Sequence, residues 1–236
     1  GTSETKKRKI TGKNVVAFLD NGADKTILIG AHYDHLGGNE HHNSTDPNSA
    51  GEIHNGADDN ASGVAILLEL ARTIAKPETK ETANYIFACF SGEEDGLIGS
   101  KALANYISEN KIPLDVMINM DMLGRLNEER SIIVSGVGTS PRFVNLIKNN
   151  TPTDFKLTTD SSGIGPTDHT SFYLKDYPVL SFFTGSHSDY HKPTDDADKI
   201  NYSGMRDIYA YIYQVLGALE RETTYTFSKT RVKDNK

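Results

Sequence analysis

The run Thr26-Ile27-Leu28-Ile29-Gly30-Ala31 constrains the fold more than any other stretch of the chain. It is almost wholly apolar. A strand with one face in water alternates in hydropathy, so this run is expected at the centre of a sheet, covered on both sides. It passes without a break into His32-Tyr33-Asp34-His35. Similar apolar runs at residues 83–90, 114–120 and 178–183 alternate with helical periodicity at 62–76, 97–110 and 203–221. In 62–76 the apolar residues Val64, Leu67, Leu68, Ala71 and Ile74 keep the spacing of one helix face, and Pro77 lies just past the end. Strands alternating with helices indicate an α/β fold: a single domain with a mixed, mostly parallel β-sheet and helices on both faces.

Smaller elements complete this reading. Residues 131–135 and 154–157 read as short strands, the second at an edge. Residues 141–149 and 168–174 read as short helices. Residues 14–19 are β-rich, Asp20-Asn21-Gly22 is a turn signal, and residues 26–30 follow, which predicts a hairpin. Residues 1–13 are polar and basic and read as a flexible arm, 14–221 as the folded domain, and 222–236 as a polar, frayed tail. Residues 37–55 are rich in Gly, Asn, Ser, Asp and His and read as a long loop, either a lid or a solvated insertion.

Composition narrows the function. With a formal charge of −7 and a pI of about 5.6, the chain lacks the basic face of a nucleic-acid binder. There is no run of 18 or more apolar residues, so no membrane-spanning helix is expected. The chain opens with Gly1-Thr2-Ser3 and carries no leader pattern, which is expected of a processed or truncated piece whose export signal is gone. The single cysteine, Cys89, forbids an internal disulfide and a thiolate zinc site, and its apolar run predicts a buried, inert thiol.

The chemistry is concentrated elsewhere. His54-Asn55-Gly56-Ala57-Asp58-Asp59-Asn60-Ala61-Ser62-Gly63 sets two adjacent carboxylates ahead of a helix. His32 lies upstream, and Glu93-Glu94, Asp121 and Tyr190-His191 lie downstream, each at or past the end of a predicted strand. Open α/β sheets bind ligands beyond those ends. Imidazole with carboxylate oxygen suits Zn²⁺, and also Co²⁺ or Mn²⁺. Two histidines and three carboxylates divide evenly between two metals only if one carboxylate bridges them. Of the neighbours Glu93 and Glu94, one can ligate while the other serves as general base. Asp34 can hold the far nitrogen of the His32 ring. Among the remaining histidines, His41 and His42 read as solvated, His54 as packing or supporting, His187 as structural, and His35 as structural in preference to a supporting role at the site.

The stretches His32-Tyr33-Asp34, Gly56-Ala57-Asp58-Asp59-Asn60-Ala61-Ser62-Gly63, Glu93-Glu94-Asp95-Gly96-Leu97-Ile98-Gly99-Ser100, Asn119-Met120-Asp121-Met122-Leu123-Gly124 and Asp189-Tyr190-His191-Lys192-Pro193-Thr194-Asp195 occur in this order. They resemble family M28 of the zinc peptidases, the aminopeptidase group with two co-catalytic metals, from residue 14 to about 219. The resemblance implies two Zn²⁺ ions bridged by Asp59, one completed by His32 and Asp121, the other by Glu94 and His191. It implies Glu93 as the base for a metal-bridging water, Asp34 as an orienting acid and Tyr190 as a donor to the oxyanion. It also implies a cis peptide after Asp59, and a substrate pocket lined by the segment holding Asp168 and His169, for which a helix cap at Asp168 with a structural His169 is the equal alternative.

The function so implied is removal of N-terminal residues from peptides with a free N-terminus, by an enzyme working outside the cell, in the periplasm or at the cell surface. Glutaminyl cyclases and carboxypeptidases share the resemblance. A catalytically dead binding module is the reading from another class, and retention of both Glu93 and Glu94 argues against it.

Overall fold

The computed structural model describes residues 11–76, 82–222 and 224–230. Most of the expected N-terminal arm, the end of the expected C-terminal tail, and Pro77 lie outside the described residues.

All seven residues of β2 (Thr26–His32) are buried. The strand is flanked in parallel by β3 (Asn84–Phe90) and β4 (Val116–Met120), and β4 is followed in parallel by β7 (Val179–Phe183). Residues on alternate sides of β2 enter two different cores. Ile27 and Ile29 pack with α1 (Gly63–Ile74), α3 (Phe143–Asn150) and α5 (Tyr202–Arg221) through Leu70, Ile147 and Ile212. Leu28 packs with α2 (Ile98–Glu109) and α4 (His169–Tyr173) through Ala104, Ile107 and Phe172. Helices therefore cover both faces, as the apolar run requires. Each such aliphatic side chain contributes about 1.5–3 kcal/mol on burial. Gly30 has no side chain because the Phe90 ring occupies the space where a Cβ would stand.

Three strands run against the parallel block. The sheet order is β1-β3-β2-β4-β7-β5-β6, with β1 (Val15–Leu19) antiparallel to β3, and β5 (Ser131–Ser135) antiparallel to β7 and parallel to β6 (Lys156–Thr159). The expected β1–β2 hairpin is therefore not formed: Val15 pairs with Cys89 and Leu19 with Tyr85, on the far side of β3. The physical reason lies in burial. β2 needs covered partners on both edges, whereas Val15, Val16 and Phe18 stay exposed and suit the rim of the sheet. Asp20-Asn21-Gly22 still turns the chain, but Asn21 is held by Asn84, the first residue of the intervening strand, and by Ala83 just before it.

Two further expectations change. Cys89 is half-buried, because its neighbour across the sheet is the exposed edge strand. Residues 224–230 pack along the body: Tyr225 packs at a tilt against Phe143, Phe227 against Tyr173, and Ser228 donates its amide to the Thr139 carbonyl. Their alternating aromatic residues supply the apolar area that a frayed tail lacks.

Candidate metal centre

The parallel block brings the C-terminal ends of β2, β3 and β4 to one rim. His32 is the last residue of β2, Glu93 and Glu94 follow the end of β3, and Asp121 follows directly on β4. Asp59 comes from the turn before α1, and His191 from the loop after β7. These residues meet around one cavity of about 320 Å³, whose other walls are Gly96, Leu97, Met122, Pro166 and Tyr190.

Asp59 stands between the two histidines. Its Oδ1 is 3.3 Å from His32 Nε2, and its Oδ2 is 3.3 Å from His191 Nε2. His32 Nε2 also lies 3.4 Å from Asp121 Oδ1, and His191 Nε2 lies 3.1 Å from Glu94 Oε2. Each imidazole is fixed from behind. His32 Nδ1 donates to the Asp34 carbonyl at 3.2 Å, and His191 Nδ1 donates to the Asn43 carbonyl at 3.1 Å. A carbonyl only accepts, so Nδ1 carries a proton, and Nε2 is the nitrogen that faces the carboxylates: without a cation it donates to them, and to a cation it would offer its lone pair.

The backbone is held as firmly. Gly56 takes a left-handed φ of 64°, and a Cβ there would collide with the Asp59 carbonyl and the His35 ring. Asp195, fully buried, accepts the amides of Asp58 and Asp59 at 2.9 and 3.1 Å. Asp58 is no part of the cluster. Its carboxylate accepts from Gly124 N, Ser62 Oγ and His187 Nε2, which ties the turn to its neighbours. The Asp59–Asn60 peptide is cis. The Asp34 carboxylate receives the amides of Glu93 and Glu94 at 3.1 and 3.3 Å and lies 4.0 Å from His32 Nδ1.

Crowding of carboxylates in a buried place shifts their proton affinities. Burial pushes the Glu93 carboxyl up to about 9, against the pull of His32 and with the help of Asp121, Asp168 and Glu94. Burial also disfavours charge on Asp59, but hydrogen bonds from His191 and His32 outweigh it and hold its carboxyl well below the usual range. The histidines move oppositely: against burial, Asp121 and Asp59 raise His32, while Asp59 and Glu94 raise His191 to about 10.

The donor set fits divalent cations. Two imidazole Nε2 atoms and several carboxylates converge, and neither lysine nor arginine lines the cavity. The buried Asp121 Oδ1 makes no hydrogen bond among the described residues. Two groups offer ligand atoms within 4.8 Å of one another: His32, Glu93 and Asp121, and His35, Asp59 and Glu94. These are two candidate metal sites side by side.

The profile of peptidase family M28 matches residues 14–216. The chain belongs to peptidase family M28. The M28 chain is 35% identical over 157 residues to a protein of Phaeosphaeria nodorum named "Probable zinc metalloprotease", an alignment covering 63% of this chain and 30% of that protein. It thus spans about a third of the length of the curated relatives it matches first. Among solved structures, an aminopeptidase from Aneurinibacillus sp. strain AM-1 superposes with a TM-score of 0.66 at 26% identity, covering 94% of this chain and 50% of that one. A glutaminyl cyclase from Tannerella forsythia shares the fold, with a TM-score of 0.71 at 20% identity over 89% of this chain and 78% of that one.

In the M28 chain, His32, Asp59, Glu93, Glu94, Asp121, Tyr190 and His191 are brought together, as the sequence blocks led one to expect. Tyr190 stacks on the His191 ring with centroids 3.9 Å apart. Burial, then the charges of Asp59 and Glu94, hold its hydroxyl protonated. Asp168 and His169 are not brought to the cavity wall. Both are enclosed at the start of α4, and Pro166 lines the cavity in their place.

Sequence reasoning missed residues 43–45 and set His35 down as structural in preference to a supporting role. His35 Nδ1 lies 2.8 Å from Glu94 Oε1. Thr45 N and Ser44 Oγ donate to the His191 carbonyl at 3.0 and 3.1 Å, and Thr45 Oγ1 donates to that of Tyr190 at 2.6 Å. His54 Nε2 lies 2.8 Å from Ser44 Oγ, its supporting place. The position of His35, directly after His32-Tyr33-Asp34, was the one available signal.

Proposed function

We propose that the chain is a two-metal aminopeptidase, hydrolysing the first peptide bond of peptides with a free N-terminus. The single observation that carries the reading is Asp59, which gives one oxygen to the His32 side and the other to the His191 side, at 3.3 Å each. That is the arrangement a bridging carboxylate needs. On this reading His32 and Asp121 hold one Zn²⁺, and Glu94 and His191 hold the other, with Co²⁺ or Mn²⁺ as substitutes. When bound, such a pair supplies acidity for water and positive charge for a developing oxyanion.

The protein's own groups do the proton work. Glu93 ends beside Asp121 and His32 without being needed by either histidine, so it is free to take a proton from the attacking water. It then delivers that proton to the leaving amine. The Tyr190 hydroxyl, kept protonated, donates to the oxyanion of the tetrahedral intermediate. Asp34 fixes the turn from which Glu93 and Glu94 project by binding both their amides.

Work outside the cell, in the periplasm or at the cell surface, is part of the same proposal, and fractionation of the native source tests it. No helix among the described residues is long and apolar enough to cross a membrane.

The experiment that tests the activity is mass spectrometry of a mixed peptide set, with and without chelator. The set holds free, N-acetylated and Gln-leading peptides. Chelator-sensitive loss of single N-terminal residues, from free peptides only, is the expected result. Loss of ammonia from Gln-leading peptides would make the chain a cyclase, and C-terminal trimming a carboxypeptidase. No change with metal present would leave a binding module.

A further inference from the structure

Glu94 is held from two sides. Its Oε2 lies 3.1 Å from His191 Nε2, within the set proposed for the second metal. Its Oε1 lies 2.8 Å from His35 Nδ1, on a side chain only 8% exposed. The His35 ring stands edge-on to the His191 ring, with centroids 5.7 Å apart and planes at 74°. Gly56 makes the room for that ring, since a Cβ there would collide with it. His35 Nε2 is buried and has no hydrogen-bond partner among the described residues. The link to Glu94 is therefore the closest polar contact the imidazole makes; the next, to Asp59 Oδ2, spans 3.9 Å.

We infer that His35 is a positioning residue for the second metal site, holding Oε1 of Glu94 so that Oε2 alone is presented to the cation. The inference rests on the two-metal reading above. A free glutamate has three rotatable bonds and two equivalent oxygens. Without a partner for Oε1 it swings between one-armed and two-armed binding, and the ordering cost falls on metal uptake. With Nδ1 donating, one oxygen is committed and the other is aimed. His35 reaches the first site only through the shared Asp59, 3.9 Å away, so that site feels this constraint less than the second.

The test is stepwise titration of the metal-stripped chain with Zn²⁺ against a competing chelator dye, for the wild type, His35→Ala and His35→Asn. Asparagine places an amide N–H close to where Nδ1–H stands. The second equivalent is expected to weaken 10- to 100-fold in His35→Ala, the range for partners that orient a ligand. The first equivalent stays within a few-fold, and His35→Asn recovers most of the loss. Co²⁺ absorption in the visible keeps its intensity in His35→Asn, because no nitrogen ligand has been removed.

An unchanged second equivalent in His35→Ala overturns the inference. So does equal weakening of both equivalents together with a lower melting temperature, which marks a packing role. Failure of His35→Asn to rescue, with a changed Co²⁺ spectrum, makes His35 a ligand itself and overturns the positioning role. A wild-type chain that takes up no second equivalent overturns the two-metal reading and this inference together.

Discussion

Asp195 Oδ2 accepts the backbone amide of Asp59 at 3.1 Å, and that of Asp58 at 2.9 Å, from a position wholly shut off from solvent. Arg125 approaches its other oxygen at 3.5 Å. Replacement by asparagine keeps the shape and loses the charge that draws two N–H groups. Asp195→Asn is expected to cost about 1–3 kcal/mol of stability, since hydrogen bonds to a charged group are the stronger kind. It is also expected to weaken metal uptake at both sites, because Asp59 serves both. Calorimetry and metal titration check this; a variant with unchanged uptake would show that the Asp59 turn holds its shape unaided.

Glu93→Gln removes a proton carrier and leaves His32, Asp59, Glu94, Asp121 and His191 in place. The expected outcome is two bound metal equivalents with kcat lower by about 10²–10⁴-fold. Elemental analysis beside peptide kinetics decides it. Near-normal turnover would remove Glu93 from the base position.

The pair Asp168 and His169 predicts a hidden pH dependence. Burial lowers the His169 imidazole to about 4, so in the folded chain it stays neutral, and the stability tied to that neutrality is complete above its ordinary 6.5 and lost as pH falls toward 4. Burial raises the Asp168 carboxyl to about 7, so its contribution is complete below its ordinary 3.8 and lost as pH rises toward 7. Between about pH 4 and 6.5 the two slopes oppose each other. Asp168→Asn should show stability rising with pH by up to about 1.4 kcal/mol per unit, and His169→Leu should show it falling. Denaturant titrations across that range measure both slopes; slopes of the same sign would refute the assignment.

Lys25 closes the far end of the molecule. Its ammonium donates to the carbonyls of Leu219, Glu220 and Glu222, where α5 ends. Those carbonyls have no helical partner, and a cation is favoured at that pole of a helix. Lys25→Met should therefore lower stability by about 2–4 kcal/mol, from the loss of charged hydrogen bonds and the exposed carbonyls left behind. Peptidase activity per folded molecule should stay the same, as Lys25 lies at the opposite end of β2 from His32. A melting curve unchanged by the substitution would contradict this.

The parallel core was legible because its signal is local. A run such as residues 26–31 declares burial on both faces, and His32, Glu93, Glu94 and Asp121 then follow at strand ends by position alone. The pairing of β1 was not legible. A turn signal joins neighbours in sequence, whereas the partner of β1 was chosen by the need of β2 for two buried edges. The supporting role of His35 was passed over for a related reason. Its meeting with Glu94 depends on two loops converging and on the absence of a side chain at Gly56, and neither has a periodic signature. Asp168 and His169 carried a recognisable motif, yet the path from β6 to α4 buried them behind Pro166, and no sequence pattern states depth.

Residues 43–45 change what the long loop means. Because the Asn43 carbonyl accepts the hydrogen bond from His191 Nδ1 and Thr45 grips the backbone of Tyr190 and His191, the loop is a strut, and swinging it away would release the imidazole. Loop opening and cation binding are then opposed equilibria, each measurable through the other. The amide hydrogen of Thr45 becomes a clock for occupancy: its exchange with deuterium should slow when Zn²⁺ is supplied and quicken when chelator removes it.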